Sequence, residues 1–349
     1  LRPNLYDGVP QGGRPVTRAY LAFTAKGLAL AQKLAAAYPG SVTRCGHEAG
    51  QVHLADWTAR QFAGSDALVF VGAVGIAVRA IAPHCRSKAS DPAVVVLDEC
   101  GRFAVPVLSG HLGGANDLAR ALAAVCGAVP VITTATDAHG IFAVDEWAKH
   151  QNCTVLEAER IKHVSSKLLA GQSVRFAAEF PVQGTPPAGV DSARTPAEAD
   201  FALTLSPAGD ALHLVPRIGV LGIGCRRGTC AEQLEAAFTD FCARHSLAPA
   251  CITAVASIDL KADEAGLLAF CRTHGWPITF YSAEQLRALP GPFTPSPFVQ
   301  SVTGVDNVCE RAAVLASGGC IRIPKQAGGG VTFALALCPY APDWRWQNG

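Results

Sequence analysis

Between residues 66 and 75 the sequence DALVFVGAVG runs apolar for five residues and then breaks on two glycines, as a strand does when it is buried on both faces and ends in a tight turn. The same pattern recurs on both sides of it. YLAFT (20–24) predicts a short strand, GLALAQKLAAAY (27–38) a helix, and AVRAIAPHC a helix stopped near Pro83. PAVVVLD and RFAVPVL (102–108) predict two strands joined by the short turn Glu99-Cys100-Gly101. NDLARALAAVCG then predicts a helix ending at Gly127, and PVITTA a further buried strand. Strands that alternate with helices and carry continuous apolar runs imply an α/β fold with largely parallel sheets covered on both faces.

At 349 residues the chain has room for two or three domains. The β/α rhythm lapses after residue 150: a helix near 157–169, the Pro/Gly-rich PVQGTPPAG and a weak strand at ADFALTL suggest a small middle α/β segment. From Arg217 it restarts with IGVLGIG, a helix, TAVASI, a helix, PITFYS and two more helices, closing on strands CIRIPK and VTFALALC. The expected division is a 1–16 extension, an α/β domain over 17–150, a middle segment over 151–214 and a second α/β domain over 215–340. Lys+Arg number 29 against 28 Asp+Glu, so there is no overall basic field for nucleic acid or anionic membrane, and the partner is expected to be a small molecule. The longest uncharged apolar stretch, 67–78, is too short to span a bilayer, and the N-terminal 15 residues contain no signal-like apolar run, so a cytoplasmic location is expected. Thirteen cysteines without a C-x-x-C pair are expected to be reduced packing residues.

Two glycine turns carry the chemical signal. Ser109-Gly110-His111-Leu112-Gly113-Gly114-Ala115-Asn116 leaves an apolar strand and enters a helix near Asp117. Such a turn can bring backbone N–H groups and a positive dipole end to an anion, with His111 in reach as base, donor or metal ligand; equally, the glycines can serve only to shape a tight connection. The second turn, Gly222-Ile223-Gly224-Cys225-Arg226-Arg227-Gly228-Thr229, places two guanidinium groups beside a helix that the T-x-x-E pair Thr229/Glu232 would cap. Its G-x-G-x-x-x-G spacing and its arginines disfavour a dinucleotide and favour carboxylates or phosphates. Further strand-end loops hold Gly75 and Arg79, Lys88, Thr133 to Asp137, Asp259 with Lys261, and Lys325 to Gly330. Serine-hydrolase elbow, zinc-protease and Walker motifs are absent from the sequence.

In order along the chain, VGAVGIAVRAIAP, SDPAVVVLDECGRF, LSGHLGGAND, VITTATD, VLGIGCRRGT, ASIDLKADE, FVQSVTGVDNVCERAA and PKQAGG resemble the cobalt-precorrin-5A hydrolase family of anaerobic cobalamin biosynthesis, called CbiG, over about residues 17–338. Cys100 and Cys230 stand where a smaller or hydroxyl residue is usual in that pattern, and both read as packing changes.

The resemblance implies two α/β domains around a small middle one and a cobalt-bound contracted tetrapyrrole as substrate. It also implies opening of a δ-lactone, with release of acetaldehyde to give cobalt-precorrin-5B. No cofactor is expected beyond the cobalt carried by the substrate, and no protein-bound metal. Expected partners are the corrinoid substrate and neighbouring pathway enzymes, with no nucleic acid and no membrane. His111 is the first choice for general base and Asp98 or Glu99 the second, with the Gly113, Gly114 and Ala115 amides as oxyanion donors. Substrate contacts are expected from Gly110, Gly113, Gly114, Asn116, Gly75, Arg79, Lys88, Thr134, Gly224, Arg226, Arg227, Lys261 and Lys325. Two rival readings are a non-catalytic corrinoid carrier, which would lack the SGHLGGAN half, and a phosphate- or nucleotide-binding regulator.

Overall fold

The computed structural model describes residues 16–46, 48, 50–87 and 90–345. The chain divides into two compact units. Of the described residues, one comprises those up to His150 together with 161–172 and Arg345; the other comprises 151–160 and 173–344.

The first unit is built on a six-stranded sheet of β1 (Arg18–Ala22), β2 (Ser41–Arg44), β3 (Ala67–Val71), β4 (Ala93–Leu97), β5 (Phe103–Leu108) and β6 (Val129–Pro130), in the order β2-β1-β3-β4-β5-β6. Strands β1 to β4 are parallel, β5 runs antiparallel to β4, and β6 is parallel to β5. Every residue of β1, β3 and β4 is buried, because period-two alternation sends their side chains to two apolar layers. Val69, Val71 and Val95 pack against Leu34 of helix α1 (Ala25–Ala37) and Leu118 of α4 (Ala115–Cys126). Leu68, Phe70 and Val94 pack against Trp57 of α2 (Leu54–Gly64) and Ala77 of α3 (Val74–Ile81). At about 1.5–3 kcal/mol for each fully buried large aliphatic, these two layers supply most of the unit's cohesion. Short helices α5 (Ala135–His139), α6 (Val144–His150) and α7 (Ile161–Leu169) complete it.

The second unit holds two sheets. A five-stranded one, ordered β7-β11-β10-β8-β9, uses β7 (Cys153–Val155), β8 (Val174–Ala178), β9 (Val190–Ser192), β10 (Phe201–Leu203) and β11 (Leu212–Pro216), with only β7 antiparallel. The other, ordered β14-β13-β12-β16-β15, uses β12 (Gly219–Cys225), β13 (Ile252–Ile258), β14 (Ile278–Tyr281), β15 (Cys320–Gly328) and β16 (Val331–Leu337). There β12, β13 and β14 are parallel, and β16 and β15 form an antiparallel hairpin beside β12. Its helices are α8 (Ala231–Arg244), α9 (Ala265–His274), α10 (Ala283–Ala288), α11 (Pro297–Thr303) and α12 (Cys309–Ser317). The glycine at 222 is required by α12: a Cβ there would lie 1.9 Å from the Cys309 carbonyl oxygen.

Three expectations change. PVITTA is not a buried strand, since β6 is two exposed residues long and pairs only with β5 at the sheet edge, where Pro130 has no N–H to donate. The helix cap in the second glycine turn slips by one residue. Helix α8 starts at Ala231 behind Cys230, whose N–H donates to Gln233 Oε1 (3.2 Å), while the Thr229 hydroxyl donates to the Arg226 carbonyl (2.8 Å). All thirteen cysteines are free, but Cys85, Cys100, Cys230 and Cys320 are exposed rather than packing residues.

Candidate active site

The reversal of β5 sets the geography of the first unit. Val94 at the start of β4 pairs with Leu108 at the end of β5, so the 109–116 loop leaves the sheet at the amino ends of the parallel strands. Gly75 at the start of α3, with Asp98 and Glu99 after β4, lies at the other rim, a strand length of roughly 16 Å away at about 3.3 Å per residue, and Arg79 sits in the last turn of α3, on the outer face of the sheet. The sequence-based grouping of all these residues round one ligand therefore fails. Asp98 is a turn holder: its carboxylate accepts the N–H groups of Cys100 (3.2 Å), Arg102 (2.7 Å) and Phe103 (2.8 Å), and although burial opposes it, these bonds hold its pKa below the usual value. Glu99 accepts from the Thr24 hydroxyl (2.8 Å). Neither carboxylate can serve a reaction at His111. Lys88 lies outside the described residues.

The 109–116 loop closes on itself. Ser109 takes a positive φ of 56° and Gly114 one of 81°. A Cβ on Gly113 would meet Ser109 Cβ at 2.3 Å, and one on Gly110 would meet Asn116 Oδ1 at 2.7 Å. The amides of Gly114, Ala115 and Asn116 donate to the carbonyls of His111 (2.9 Å), Ser109 (3.1 Å) and Gly110 (3.0 Å). Gly114 and Ala115 are thus not oxyanion donors, because their N–H groups stabilise the loop.

The loop sets His111 against a buried charge cluster. Its Nε2 is 2.8 Å from Asp137 Oδ2 and its Nδ1 is 3.2 Å from Asp145 Oδ1. Burial disfavours charge on the ring, but the hydrogen bonds to Asp137 and Asp145 and the charges of Asp145 and Glu146 outweigh it, and the imidazole is pushed up to about 10. His111 is therefore protonated at neutral pH with both nitrogens engaged, which corrects its assignment as a free base. Arg120 pairs with Asp137 and with Asp117 (3.1 Å), Lys149 pairs with Asp117 (2.8 Å), and Asn116 Nδ2 donates to Thr134 Oγ1 (2.9 Å) and Asp137 Oδ2 (3.1 Å). Glu146, with a side chain 1% exposed, has no hydrogen bond at either carboxylate oxygen; the closest cation, Arg120, is 3.8 Å from Oε1. Burial pushes its carboxyl up to about 7. His111, Asp137 and Glu146 each offer a ligand atom, all within 4.8 Å of one another, and so could hold a metal ion. A cavity of about 350 Å³ opens here, lined by Gly110, His111, Asn116, Thr134 and Asp145 among others.

Of the expected site residues, the structure thus joins Gly110, His111, Gly113, Gly114, Asn116 and Thr134 in one place. Asp145, Glu146, Asp117, Arg120 and Lys149 were missed. The signal for the first two was present in FAVDEWA, where adjacent acids interrupt an apolar run instead of lying on a polar helix face.

In the second unit Glu264 gathers the cationic loop. It accepts the Gly228 N–H (2.9 Å) and Lys261 Nζ (2.8 Å) and lies 3.9 Å from Arg227 Nε; the Lys261 hydrogen bond, followed by that of Gly228, lowers its pKa. Arg226 donates its N–H to the Gly330 carbonyl (3.0 Å) and lays its side chain over that glycine. Gly224 stands near the end of β12 with only Thr332 beside its Cβ direction (3.7 Å). The backbone N–H of Lys325 donates to Glu310 Oε1 (2.7 Å).

Two family patterns match the chain: one described as Cobalamin synthesis G N-terminal, at residues 56–137, and one as Cobalamin synthesis G C-terminus, at residues 219–336. A protein of Salmonella typhimurium named cobalt-precorrin-5A hydrolase is 36% identical, over 93% of this chain and 98% of that one. A protein of the same name from Priestia megaterium is 33% identical, over 78% of this chain and 79% of that one. Protein CobE of Sinorhizobium is 35% identical over 34% of this chain and 78% of its own.

Proposed function

This chain belongs to the cobalt-precorrin-5A hydrolase family, and from that premise we propose that it hydrolyses the lactone of cobalt-precorrin-5A at the cavity beside His111 and releases acetaldehyde. The observation that supports this placement is a partly open cavity whose wall joins a carboxylate, Asp145, to a protonated imidazole, His111. Its volume lies at the low end of ligand pockets and suits the lactone-bearing edge of a macrocycle. In this reading Asp145 accepts the proton of the attacking water, and the positive charge of the His111 imidazolium, whose N–H groups stay with Asp137 and Asp145, stabilises through its field the oxyanion that forms on the lactone carbonyl. Acyl–oxygen cleavage yields a carboxylate and an alkoxide. The alkoxide becomes the carbonyl of acetaldehyde as its carbon–carbon bond to the macrocycle breaks, and that electron pair passes into the conjugated ring and its bound cobalt. Asp137, held by Arg120 and Asn116, fixes the ring of His111.

The test is anaerobic incubation with enzymatically prepared cobalt-precorrin-5A, trapping acetaldehyde and weighing the corrinoid by mass spectrometry. Loss of the two-carbon unit with acetaldehyde supports the hydrolase. Tight corrinoid binding without release would establish the carrier reading instead. His111→Ala is expected to leave binding largely intact while abolishing release, and unchanged turnover would remove His111 from the reaction.

A further inference from the structure

We propose that His111, Asp137 and Glu146 form a binding site for one divalent transition ion of the zinc class, separate from the cobalt of any substrate. One imidazole nitrogen and two carboxylate oxygens, converging within 4.8 Å, are a donor set that such ions accept, with a position left open to water or ligand. The sequence predicts no protein-bound metal, because the three ligands come from separate segments with no recognisable spacing.

Glu146 is the independent observation. It is almost wholly buried and neither of its oxygens receives a hydrogen bond, so as an anion it has only Arg120, at 3.8 Å, to offset its charge. A proton on His111 Nε2 would satisfy Asp137 and leave Glu146 as it is; a cation between the three serves all of them. The charges agree. In the ion-bound state, with His111 neutral and Glu146 ionised, Asp117, Asp137, Asp145 and Glu146 carry four negative charges against two positive on Arg120 and Lys149, and a divalent ion brings the cluster to zero. The surroundings have the form of an outer shell. Asp145 faces His111 Nδ1 and directs Nε2 inward, while Arg120 and Asn116 orient Asp137 from two sides. Because Nε2 and Asp137 Oδ2 stand 2.8 Å apart, closer than two ligands of one ion at about 2.0–2.1 Å each, entry of the ion must part them slightly as it displaces the proton.

An ion on His111 Nε2 would take the place of the imidazolium charge that the hydrolase reading uses, so the two describe different states of one side chain, and the metal site is tested without substrate. The full chain, stripped with a chelator, is titrated with Zn²⁺ by calorimetry and with Co²⁺ by visible absorption. Expected are one ion per chain, ligand-field bands of a low-coordinate Co²⁺ site, and a Zn²⁺-induced rise in melting temperature. Glu146→Gln and Asp137→Asn should each weaken binding by at least the about tenfold that loss of an outer-shell partner costs, with circular dichroism unchanged. Should one variant fail to fold, the other carries the comparison. Absence of uptake by the unmodified chain, or uptake that persists equally in both variants, would overturn the site.

Discussion

Asp98 and Asp145 are both acids at the ends of elements, yet they are put to different uses. The first spends its oxygens on three amides of a hairpin turn; the second faces a cavity and an imidazole. Asp145→Asn is expected to lower kcat by about 100-fold or more with little change in folding, as loss of a general base does, and steady-state acetaldehyde formation measures it. His111 was legible from its place in a glycine turn, but its protonation was not, because that follows from acids 26 and 34 residues away in sequence. In the second unit Glu264 titrates below the ordinary range through Lys261 and Gly228. A depressed carboxyl adds stability above its unfolded value near 4.5, and that stability is lost as pH falls through the lower folded value. Glu264→Gln should therefore flatten the acid limb of a melting-temperature profile and leave its shape near neutrality unchanged.

Among elements, the strands that read most plainly in the sequence are β1, β3 and β4, where burial on both faces makes every residue but Arg18 apolar or aromatic. The direction of β5 was also legible, since a turn as short as 99–101 can join only antiparallel neighbours. What could not be read was its consequence, that the loop after β5 departs from the opposite rim to the loops after β3 and β4. Strand β6 was misread because an edge pairing of two residues leaves no periodic signal. The two glycines of GIG in β12 look equivalent in sequence and are not. Gly222→Ala would drive a methyl into the α12 backbone and should cost about 1–3 kcal/mol. Gly224→Ala meets only an ordinary contact and should be near neutral or raise stability by about 0.4–1 kcal/mol through the unfolded chain. Paired denaturant melts of the two variants decide this.

At the scale of the whole molecule, the α/β class and the restart of the β/α rhythm after residue 216 were legible from periodicity alone. The interleaving of the units was not: residues 151–160 join the second unit and 161–172 return to the first, a division set by tertiary packing. The thirteen free thiols report on that packing. Cys85, Cys100, Cys230 and Cys320 should be alkylated in the native protein near neutral pH. Cys153, Cys271 and Cys309, which burial pushes up to about 12, should react only on unfolding, and mass spectrometry of a timed alkylation separates the classes. Among the described residues no helix is long and apolar enough to cross a membrane. The reversed strand β5 also bears on how such a sequence can vary. With the histidine loop on one rim and the α3 and Asp98 turns on the other, substitutions can accumulate at either rim while the other keeps its shape, so one scaffold offers selection two surfaces that it can alter one at a time.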